Sequence, residues 1–507
     1  MREVELGWGK VLLVKDNGEF HALGHKCPHY GAPLVKGVLS RGRVRCPWHG
    51  ACFNISTGDL EDFPGLDSLH KFQVKIEKEK VYVRASKQAL QLQRRTKVMA
   101  KCISPSVGHS GSTNVLIVGA GAAGLVCAET LRQEGFSDRI VLCTLDRHLP
   151  YDRPKLSKSL DAQPEQLALR PKEFFRAYGI EVLTEAQVVT VDVRNKKVVF
   201  KDGFKLEYSK LLLAPGSRWD PGQGAGQAGL SLRGAPPQHC QCFSPKTLSC
   251  KGKEVENVFT IRTPEDANRV VRLARGRNAV IVGAGFLGME VAAYLTEKAH
   301  SVSVVELEET PFRKFLGERV GRALMKMFEN NRVKFYMQTE VSELRAQEGK
   351  LKEVVLKSSK VVRADVCVVG IGAVPATGFL RQSGICLDSR GFIPVNKMMQ
   401  TSVPGVFAAG DAVTFPLAWR NNRKVNIPHW QMAHAQGRVA AQNMLAQEAE
   451  ISTVPYLWTA MFGKSLRYAG YGEGFDDVII QGDLEELKFV AFYTKTGDMS
   501  WLTGKGS

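Results

Sequence analysis

The first 85 residues alternate short apolar runs with turns rich in Gly and Pro. Three of these runs, Lys10–Val14, Glu19–Leu23 and Val81–Val83, have the length and composition of strands. Gly and Pro separate them, because Gly allows tight turns and Pro removes a backbone donor. The pattern therefore predicts a small all-β domain over residues 1–85.

Two later segments each join an uninterrupted apolar strand to a glycine-rich turn and a helix. The first runs from Asn114 to Gly124 and the second from Ala279 to Glu290. A continuous β-branched run predicts a parallel strand that is buried on both faces. The G-x-G-x-x-G spacing after it predicts a pyrophosphate site, because the backbone and the helix N-terminus approach the phosphates closely. The glycines are Gly119, Gly121 and Gly124 in the first segment and Gly283, Gly285 and Gly288 in the second.

An acidic residue follows each segment at the end of the next predicted strand. Asp146 follows Arg139–Leu145, and Glu306 follows Val302–Val305. A carboxylate in this position accepts a hydrogen bond from a ribose hydroxyl. At Glu306 it also repels a 2′-phosphate, so we expect NADH to be preferred to NADPH.

Two short loops each combine one Cys with one His. They are Cys27-Pro-His29 and Cys46-Pro-Trp-His49. Such loops can hold a binuclear iron–sulfur cluster, with two Cys on one iron and two His on the other. A zinc site is the alternative, but zinc fingers place the two Cys together and the two His together. The mixed loops therefore favour the cluster.

Composition and charge narrow the class of protein only a little. The 507 residues exceed one core and suggest three or four domains, and 24% charged with 44% hydrophobic residues is typical of globular proteins. The net charge of +18 would suit nucleic acid or an anionic membrane surface, but no nucleic-acid motif accompanies it. No run of 18 apolar residues predicts a transmembrane segment, and no targeting peptide is visible at the start.

The N-terminal region resembles the Rieske [2Fe-2S] domain. The match rests on Cys-Pro-His-Tyr-Gly-Ala-Pro-Leu at 27–34, Cys-Pro-Trp-His-Gly-Ala-Cys-Phe at 46–53 and the loop from Gly58 to Gly65. The resemblance implies that Cys27, His29, Cys46 and His49 are the cluster ligands. Ala51 stands where the respiratory branch has a Ser that bonds a cluster sulfide, so we expect a potential toward the low end of the Rieske range.

The stretch Pro150-Tyr-Asp-Arg-Pro-Lys-Leu-Ser-Lys158 is unusually specific. From residue 113 to about 495 the chain resembles the pyridine nucleotide-disulfide oxidoreductase superfamily, in its ferredoxin-reductase and apoptosis-inducing factor branch. The resemblance implies a flavin site first and a nicotinamide site second, with Arg153 lining the FAD site. Lys158 then approaches flavin N5, with Glu290 as its partner.

A second FAD signature lies at Val403–Ala412. By resemblance, Asp411 accepts a ribityl hydroxyl and Gly410 allows the flavin to approach closely. Trp458 matches an aromatic position that faces the flavin or nicotinamide, although a role in the core is equally compatible with its sequence context.

These features predict a multidomain chain with an all-β Rieske domain, an α/β reductase with two dinucleotide-binding domains and a shortened α+β C-terminal domain. The predicted divisions are the Rieske domain (1–85), a basic linker (86–112), the first part of the FAD-binding domain (113–250), the NAD-binding domain (251–372), the second part of the FAD-binding domain (373–447) and a truncated C-terminal interface domain (448–507). Residues 218–243 break the family's spacing and are expected to form an atypical insertion. The linker is expected to be mobile, and the last sheet to lack partners.

The leading functional hypothesis is an NADH-dependent FAD oxidoreductase that passes electrons to its own Rieske cluster and an unknown acceptor. Cys127 stands alone where disulfide reductases carry a C-x₄-C pair, which favours this route. The resemblance also implies a mitochondrial location, a pro-apoptotic role and a redox-dependent dimer; a cytoplasmic location is the alternative. The rival hypothesis is an NADH-sensing pro-apoptotic signalling protein with little turnover.

Overall fold

The structure is a computed structural model of the 507-residue chain. It describes residues 1–103, 113–218, 248, 250–252 and 254–495, together with the backbone of 504 and 505. Residues 104–112 of the predicted linker and 219–243 of the predicted insertion lie outside the described residues. In the part of the chain that the structure describes, no helix has both the length and the apolar character needed to cross a bilayer.

Two antiparallel sheets form the N-terminal domain, which confirms the all-β prediction. In sheet order the larger one contains Arg2–Glu5, Lys10–Asp16, Glu19–Gly24, Lys71–Glu77 and Lys80–Arg84. The smaller one contains Val38–Ser40, Arg43–Arg45, Cys52–Asn54 and Leu60–Asp62. Buried side chains of both sheets, among them Leu12, Leu23, Val44 and Phe53, belong to one hydrophobic core, which continues into the domain of the first glycine-rich segment.

The first glycine-rich segment builds the centre of a five-stranded parallel sheet. The domain that contains this sheet is the one predicted to bind FAD and is called the FAD domain below. Its strands, in sheet order, are Ile180–Leu183, Ile140–Cys143, Val115–Val118, Lys210–Leu213 and Val406–Ala408. The helices of this domain are Ala122–Gln133, Pro164–Leu167, Lys172–Ala177 and Trp430–Met444. The last strand and the last helix come from a distant part of the chain, so two separated segments complete one domain.

Three small sheets border this domain, two of them antiparallel and one mixed, in which Ile393–Pro394 pairs in parallel with Val413–Leu417. Their strands are Val188–Asp192, Lys197–Phe200 and Lys205–Glu207 in one sheet, Ile393–Pro394, Val413–Leu417 and Arg423–Val425 in another, and Ser217–Arg218 with Val374–Pro375 in a third. Within the domain, the helices Ala122–Gln133 and Trp430–Met444 pack tightly because Gly437 has no side chain. A Cβ atom built at Gly437 would lie 2.2 Å from the carbonyl oxygen of Ala123.

The second glycine-rich segment builds an equivalent parallel sheet. Its strands, in sheet order, are Val258–Phe259, Val366–Val369, Asn278–Val282, Ser301–Val305 and Val333–Tyr336. The helices are Pro264–Ala274, Phe286–Leu295 and Arg313–Asn330, and the adjoining antiparallel sheet contains Val341–Gln347, Lys350–Leu356 and Val361–Arg363. The two parallel sheets confirm the predicted α/β class with two dinucleotide-binding units.

The C-terminal region forms a five-stranded antiparallel sheet. In sheet order its strands are Tyr456–Met461, Lys464–Ala469, Gly504–Lys505, Lys488–Thr494 and Asp477–Asp483. We expected this sheet to lack partners. Instead, Gly504 pairs with both Tyr468 and Ala491, so one short strand joins two hairpins into a continuous sheet.

The described part of the predicted linker is tied to the domains on both sides of it. It begins with the helix Lys87–Gln91. Arg95 then exchanges two backbone hydrogen bonds of 2.8 Å with Ser68, and its guanidinium lies 2.5 Å from Asp59. Further on, the amide of Ala100 donates to the carbonyl of Arg132 at 2.8 Å. We expected a mobile tether, but this part of the linker is bound to both domains. Arg95, one of the basic residues that suggested a solvated segment, pairs with Asp59.

Buried charge joins the N-terminal domain to the FAD domain. The Arg170 guanidinium lies 2.9 Å from Asp67 of the N-terminal domain and 2.8 Å from Glu129 of the helix Ala122–Gln133. All three side chains are buried. Burial raises the pKa of Glu129, although the hydrogen bond from Arg170 opposes this shift. Nearby, Arg438 donates to the carbonyl of Glu61 at 2.6 Å, and its guanidinium lies 4.1 Å from the ring of Phe63.

Replacing the central cation of this triad should destabilise the fold. Arg170→Met leaves Glu129 buried without its cation and leaves Asp67 with the Thr96 hydroxyl and the more distant Arg94, so we expect the free energy of unfolding to fall by about 3–5 kcal/mol. Urea denaturation followed by tryptophan fluorescence measures the loss. Arg322→Met is the matched control, because Arg322 pairs with Glu318 on an exposed face and its removal should change stability much less. Equal losses in both variants would contradict a structural role for the triad.

Candidate functional site

The first glycine turn borders a cavity of about 1060 Å³. This volume is at the upper end of the range for ligand pockets and suits a large dinucleotide. A Cβ atom at Gly119 would lie 1.9 Å from the carbonyl oxygen of Ala214, and one at Gly124 would lie 1.9 Å from that of Gly119. Only Gly therefore keeps this turn closed, while Gly121 has nothing within 4 Å of a built Cβ atom and leaves the cavity open. The predicted site residues on the cavity wall are Gly119, Gly121, Asp146, Arg153, Gly410 and Asp411.

Positive charge and one carboxylate face each other on the cavity wall. Asp146 accepts hydrogen bonds from the Tyr151 hydroxyl at 2.7 Å and from Arg153 at 3.3 Å. Arg153 also donates to the carbonyl of Arg262 at 2.8 Å, and burial lowers the pKa of the Arg262 guanidinium. Two arginines beside a helix N-terminus provide the environment that a pyrophosphate needs.

The second FAD signature closes the opposite part of the cavity wall. Asp411 accepts a hydrogen bond from the Ser217 hydroxyl at 3.2 Å. Gly410 has a φ of +85°, which Gly adopts without strain, and its amide donates to Gln436 at 2.7 Å. These contacts hold the Asp411 carboxylate at the wall, where it can accept a ligand hydroxyl.

Lys158 and Glu290 form the ion pair that the motif predicts. The Lys158 ammonium lies 2.9 Å from the Glu290 carboxylate, which is buried on the helix Phe286–Leu295. Glu290 also accepts hydrogen bonds from the Thr459 hydroxyl at 2.6 Å and from the Ser157 hydroxyl. Three donors thus compensate the buried carboxylate. Because Ser157 lines the cavity, the pair lies beside the proposed flavin site.

The second glycine turn repeats the geometry of the first. A Cβ atom at Gly283 would lie 2.5 Å from the Gly370 carbonyl oxygen, and one at Gly288 would lie 2.0 Å from that of Gly283. Nothing lies within 4 Å of a Cβ atom built at Gly285, so the turn is open there. Glu306 lies directly beside this turn, because its carboxylate accepts the amide of Ala284 at 2.6 Å.

The two Cys/His loops are near copies of each other. Cys27 accepts the amide of Gly31 at 2.9 Å, and Cys46 accepts that of Gly50 at 3.3 Å, both through backbone carbonyls. The two thiols hydrogen-bond to each other, which raises the pKa of Cys27 and lowers that of Cys46 to about 7.

The imidazoles form a second pair. The Nδ1 atoms of His29 and His49 lie 3.2 Å apart. Burial lowers the pKa of both rings, and lowers that of His49 to about 4, so they are neutral near pH 7. Neutral imidazoles are the form that binds metals.

Two cysteines and two histidines give the donor set that a Rieske cluster takes. Among the described residues, no three His, Cys, Asp or Glu side chains converge on a position that could hold one metal ion. A tetrahedral zinc site needs four ligands around one ion, whereas each iron of a Rieske cluster takes two protein ligands. A pair of cysteines, Cys27 and Cys46, and a pair of histidines, His29 and His49, meet the second requirement.

Trp458 connects the two halves of the site. Its ring lies 4.8 Å from that of His49 and 6.0 Å from that of His29, and it is buried. It is not among the residues that line the cavity, where Trp430 is found instead. The next residue, Thr459, binds Glu290. The structure thus puts Trp458 between the histidine pair and the Lys158–Glu290 pair.

The sequence analysis did not identify the contact between Tyr30 and Asp152. The Tyr30 hydroxyl donates to Asp152 at 2.5 Å, and burial raises the pKa of that carboxyl group. Tyr30 lies in the motif at 27–34 and Asp152 in the motif at 150–158. The motifs mark both residues as site candidates but do not indicate that the two segments meet. Asp67 and Arg170 lie outside those motifs, and no signal in a single sequence indicates that they meet.

Comparison with known proteins agrees with this geometry. Residues 113–437 match the family model described as pyridine nucleotide-disulphide oxidoreductase, and residues 1–73 match the Rieske [2Fe-2S] domain. The chain is 85% identical over 549 aligned residues to "Apoptosis-inducing factor 3" of Homo sapiens, covering 100% of this chain and 86% of that protein. It is 31% identical to the benzene 1,2-dioxygenase system ferredoxin–NAD(+) reductase subunit of Pseudomonas putida, covering 74% of this chain and 84% of the relative.

Solved structures give the same result for the reductase half. A ferredoxin reductase from Rhodopseudomonas palustris has a TM-score of 0.69 and 27% identity, covering 78% of this chain and 91% of its own. The covalent putidaredoxin reductase–putidaredoxin complex also has a TM-score of 0.69, with 26% identity and coverage of 78% and 90%.

The family models, the relatives and the two glycine-turn domains support FAD, NADH and a [2Fe-2S] cluster as the cofactors. The sequence relatives include proteins named ferredoxin–NAD(+) reductase and rubredoxin–NAD(+) reductase. The chain therefore belongs to the pyridine nucleotide-disulphide oxidoreductase family, in its apoptosis-inducing factor branch, and is an NAD(P)H-dependent flavoprotein oxidoreductase with an N-terminal Rieske domain.

Proposed function

We propose that this chain oxidises NADH at its FAD site and passes the electrons, one at a time, to its own Rieske cluster and then to a separate acceptor. The observation that carries the proposal is the position of Trp458. Its ring lies 4.8 Å from that of His49, and the adjacent Thr459 binds Glu290 at 2.6 Å. The cluster loops therefore rest directly on the flavin side of the reductase.

The proposal assigns four cluster ligands. Cys27 and Cys46 hold one iron, and His29 and His49 hold the other. The pairing of the thiols and the 3.2 Å separation of the imidazole nitrogens support the assignment. When bound, FAD supplies the conversion of a hydride into single electrons, and the cluster supplies a one-electron carrier.

The remaining roles follow from the contacts of each side chain. Lys158 presents a positive charge beside the flavin site, and Glu290 orients it while the hydroxyls of Ser157 and Thr459 hold Glu290 in place. Around the FAD site, glycines provide close backbone approach and the charged residues hold phosphate and hydroxyl groups. The assigned residues are Gly119, Gly121, Gly124, Asp146, Arg153, Gly410 and Asp411. Gly283, Gly285, Gly288 and Glu306 are assigned to NADH.

The cellular setting belongs to the same proposal. A role in apoptosis is supported by the 85% identity to a protein named "Apoptosis-inducing factor 3". A mitochondrial location and a redox-dependent dimer rest on the family resemblance alone. Comparing caspase activation in cells that express the wild type or Lys158→Ala tests the link: equal activation would favour the signalling hypothesis over the need for turnover.

Anaerobic rapid mixing with NADH tests electron flow inside the chain. We expect flavin absorbance to fall first and the EPR signal of a reduced Rieske cluster to follow in the same protein. Cys46→Ser is the control, because it removes one proposed ligand and should abolish the EPR signal while leaving flavin reduction intact. A flavin that bleaches while the wild-type cluster stays oxidised would refute the internal route.

Substitution of Glu306 tests the choice of nicotinamide. Glu306→Arg removes the ribose acceptor and attracts a 2′-phosphate, so the ratio of kcat/KM for NADH to that for NADPH should fall by roughly ten- to a hundredfold. The neutral side chain in Glu306→Gln still accepts a hydrogen bond, so the ratio for this variant should lie between those of the wild type and Glu306→Arg. Steady-state flavin reduction with each nucleotide measures the ratio. An unchanged ratio in Glu306→Arg would rule out the assignment.

A further inference from the structure

Tyr30 touches both a proposed cluster ligand and the flavin-binding half. Its ring stacks on that of His29 at 3.9 Å between centroids, with 13° between the planes. Its hydroxyl donates to Asp152 at 2.5 Å. Asp152 belongs to the same short loop as Arg153, which lines the FAD cavity. One side chain thus spans the boundary between the two domains.

Lys155 completes this contact. Its ammonium lies 4.7 Å from the centre of the Tyr30 ring and 3.8 Å from the Asp152 carboxylate. Tyr30 is partly buried, and the Lys155 side chain is 36% exposed. An ammonium, a phenol ring and the His29 imidazole therefore follow one another across the domain boundary. A cation over an aromatic face is held by the ring quadrupole, which keeps the charge close to the ligand.

The sign of the electrostatic effect follows from the change in charge on reduction. A Rieske cluster gains one negative charge when it takes up an electron, and net charge and hydrogen bonds around it tune its potential. A nearby cation stabilises the reduced form. Arg467, on the strand Lys464–Ala469, acts at the other Cys/His loop, where its guanidinium donates to the Trp48 carbonyl at 3.1 Å. Both cations come from outside the Rieske domain.

We infer that the positive charge of Lys155, held over Tyr30, raises the reduction potential of the Rieske cluster. The inference rests on the ligand assignment of the proposed function. Because Ala51 stands in place of Ser, it cannot donate the hydrogen bond to a cluster sulfide that raises the reduction potential. The Lys155 charge from the reductase half compensates for this loss. Asp152 opposes Lys155 in part, so removing the lysine leaves a carboxylate against Tyr30 and shifts the balance toward negative charge.

A redox titration of the full-length protein, reduced with dithionite and mediators and followed by EPR, tests this inference without NADH. We compare the wild type with Lys155→Arg, Lys155→Gln and Lys155→Glu. The reduction potential of the cluster should stay close to the wild-type value in Lys155→Arg, be lower in Lys155→Gln and be lowest in Lys155→Glu. Each unit of charge should change the equilibrium for reduction by roughly three- to tenfold at low salt, and by less at high salt.

Two further variants separate charge from structure. Lys326→Glu alters an exposed lysine on the helix Arg313–Asn330 of the nicotinamide domain and should leave the potential unchanged. Tyr30→Phe keeps the ring under Lys155 but loses the Asp152 bond, so the Lys155 series should still be graded in that background. Equal potentials across the Lys155 series, with normal flavin and cluster spectra, overturn this inference alone. A wild-type protein without a Rieske signal overturns the ligand assignment and this inference together.

Discussion

The Arg170 guanidinium lies between Asp67 and Glu129, and the relative placement of the two redox sites depends on this buried contact. Each carboxylate alone would be costly to bury, but a central cation compensates both where water cannot. Arg438 adds hydrogen bonds to the carbonyls of Leu60 and Glu61 from the helix beside the FAD cavity. The Cys/His loops are therefore held on the reductase half rather than carried on a free tether.

A short series of contacts leads from the cluster loops to the flavin-side ion pair. His49 faces Trp458, Thr459 binds Glu290, and Glu290 holds Lys158. The Glu290 carboxylate is satisfied by Lys158, Ser157 and Thr459, so the ion pair stays ordered although it is largely removed from water. Two consecutive residues, Trp458 and Thr459, thus contact the cluster loops and the flavin-side ion pair.

Much of the fold and part of the site follow from local sequence. The strands before Gly119 and Gly283 are continuous apolar runs, and the first and third glycines of each turn are needed because a Cβ atom there would collide with backbone. Asp146 and Glu306 lie beside their turns because the carboxyl ends of neighbouring parallel strands meet at one edge of the sheet. These features are predictable because they depend on residues that are close in sequence, or on the fixed geometry of a strand–turn–helix unit.

The sequence by itself determined the two glycine turns, the acidic residues that follow them, the paired Cys/His loops and the all-β and α/β classes of the domains. Only the tertiary structure decided that Asp67 meets Arg170, that Tyr30 meets Asp152 and that Trp458 turns toward the histidines. These contacts join residues that are far apart in the chain, and their distances depend on how whole domains pack. No period, spacing or motif encodes that packing, which arises from the sum of many buried contacts across the domain boundary.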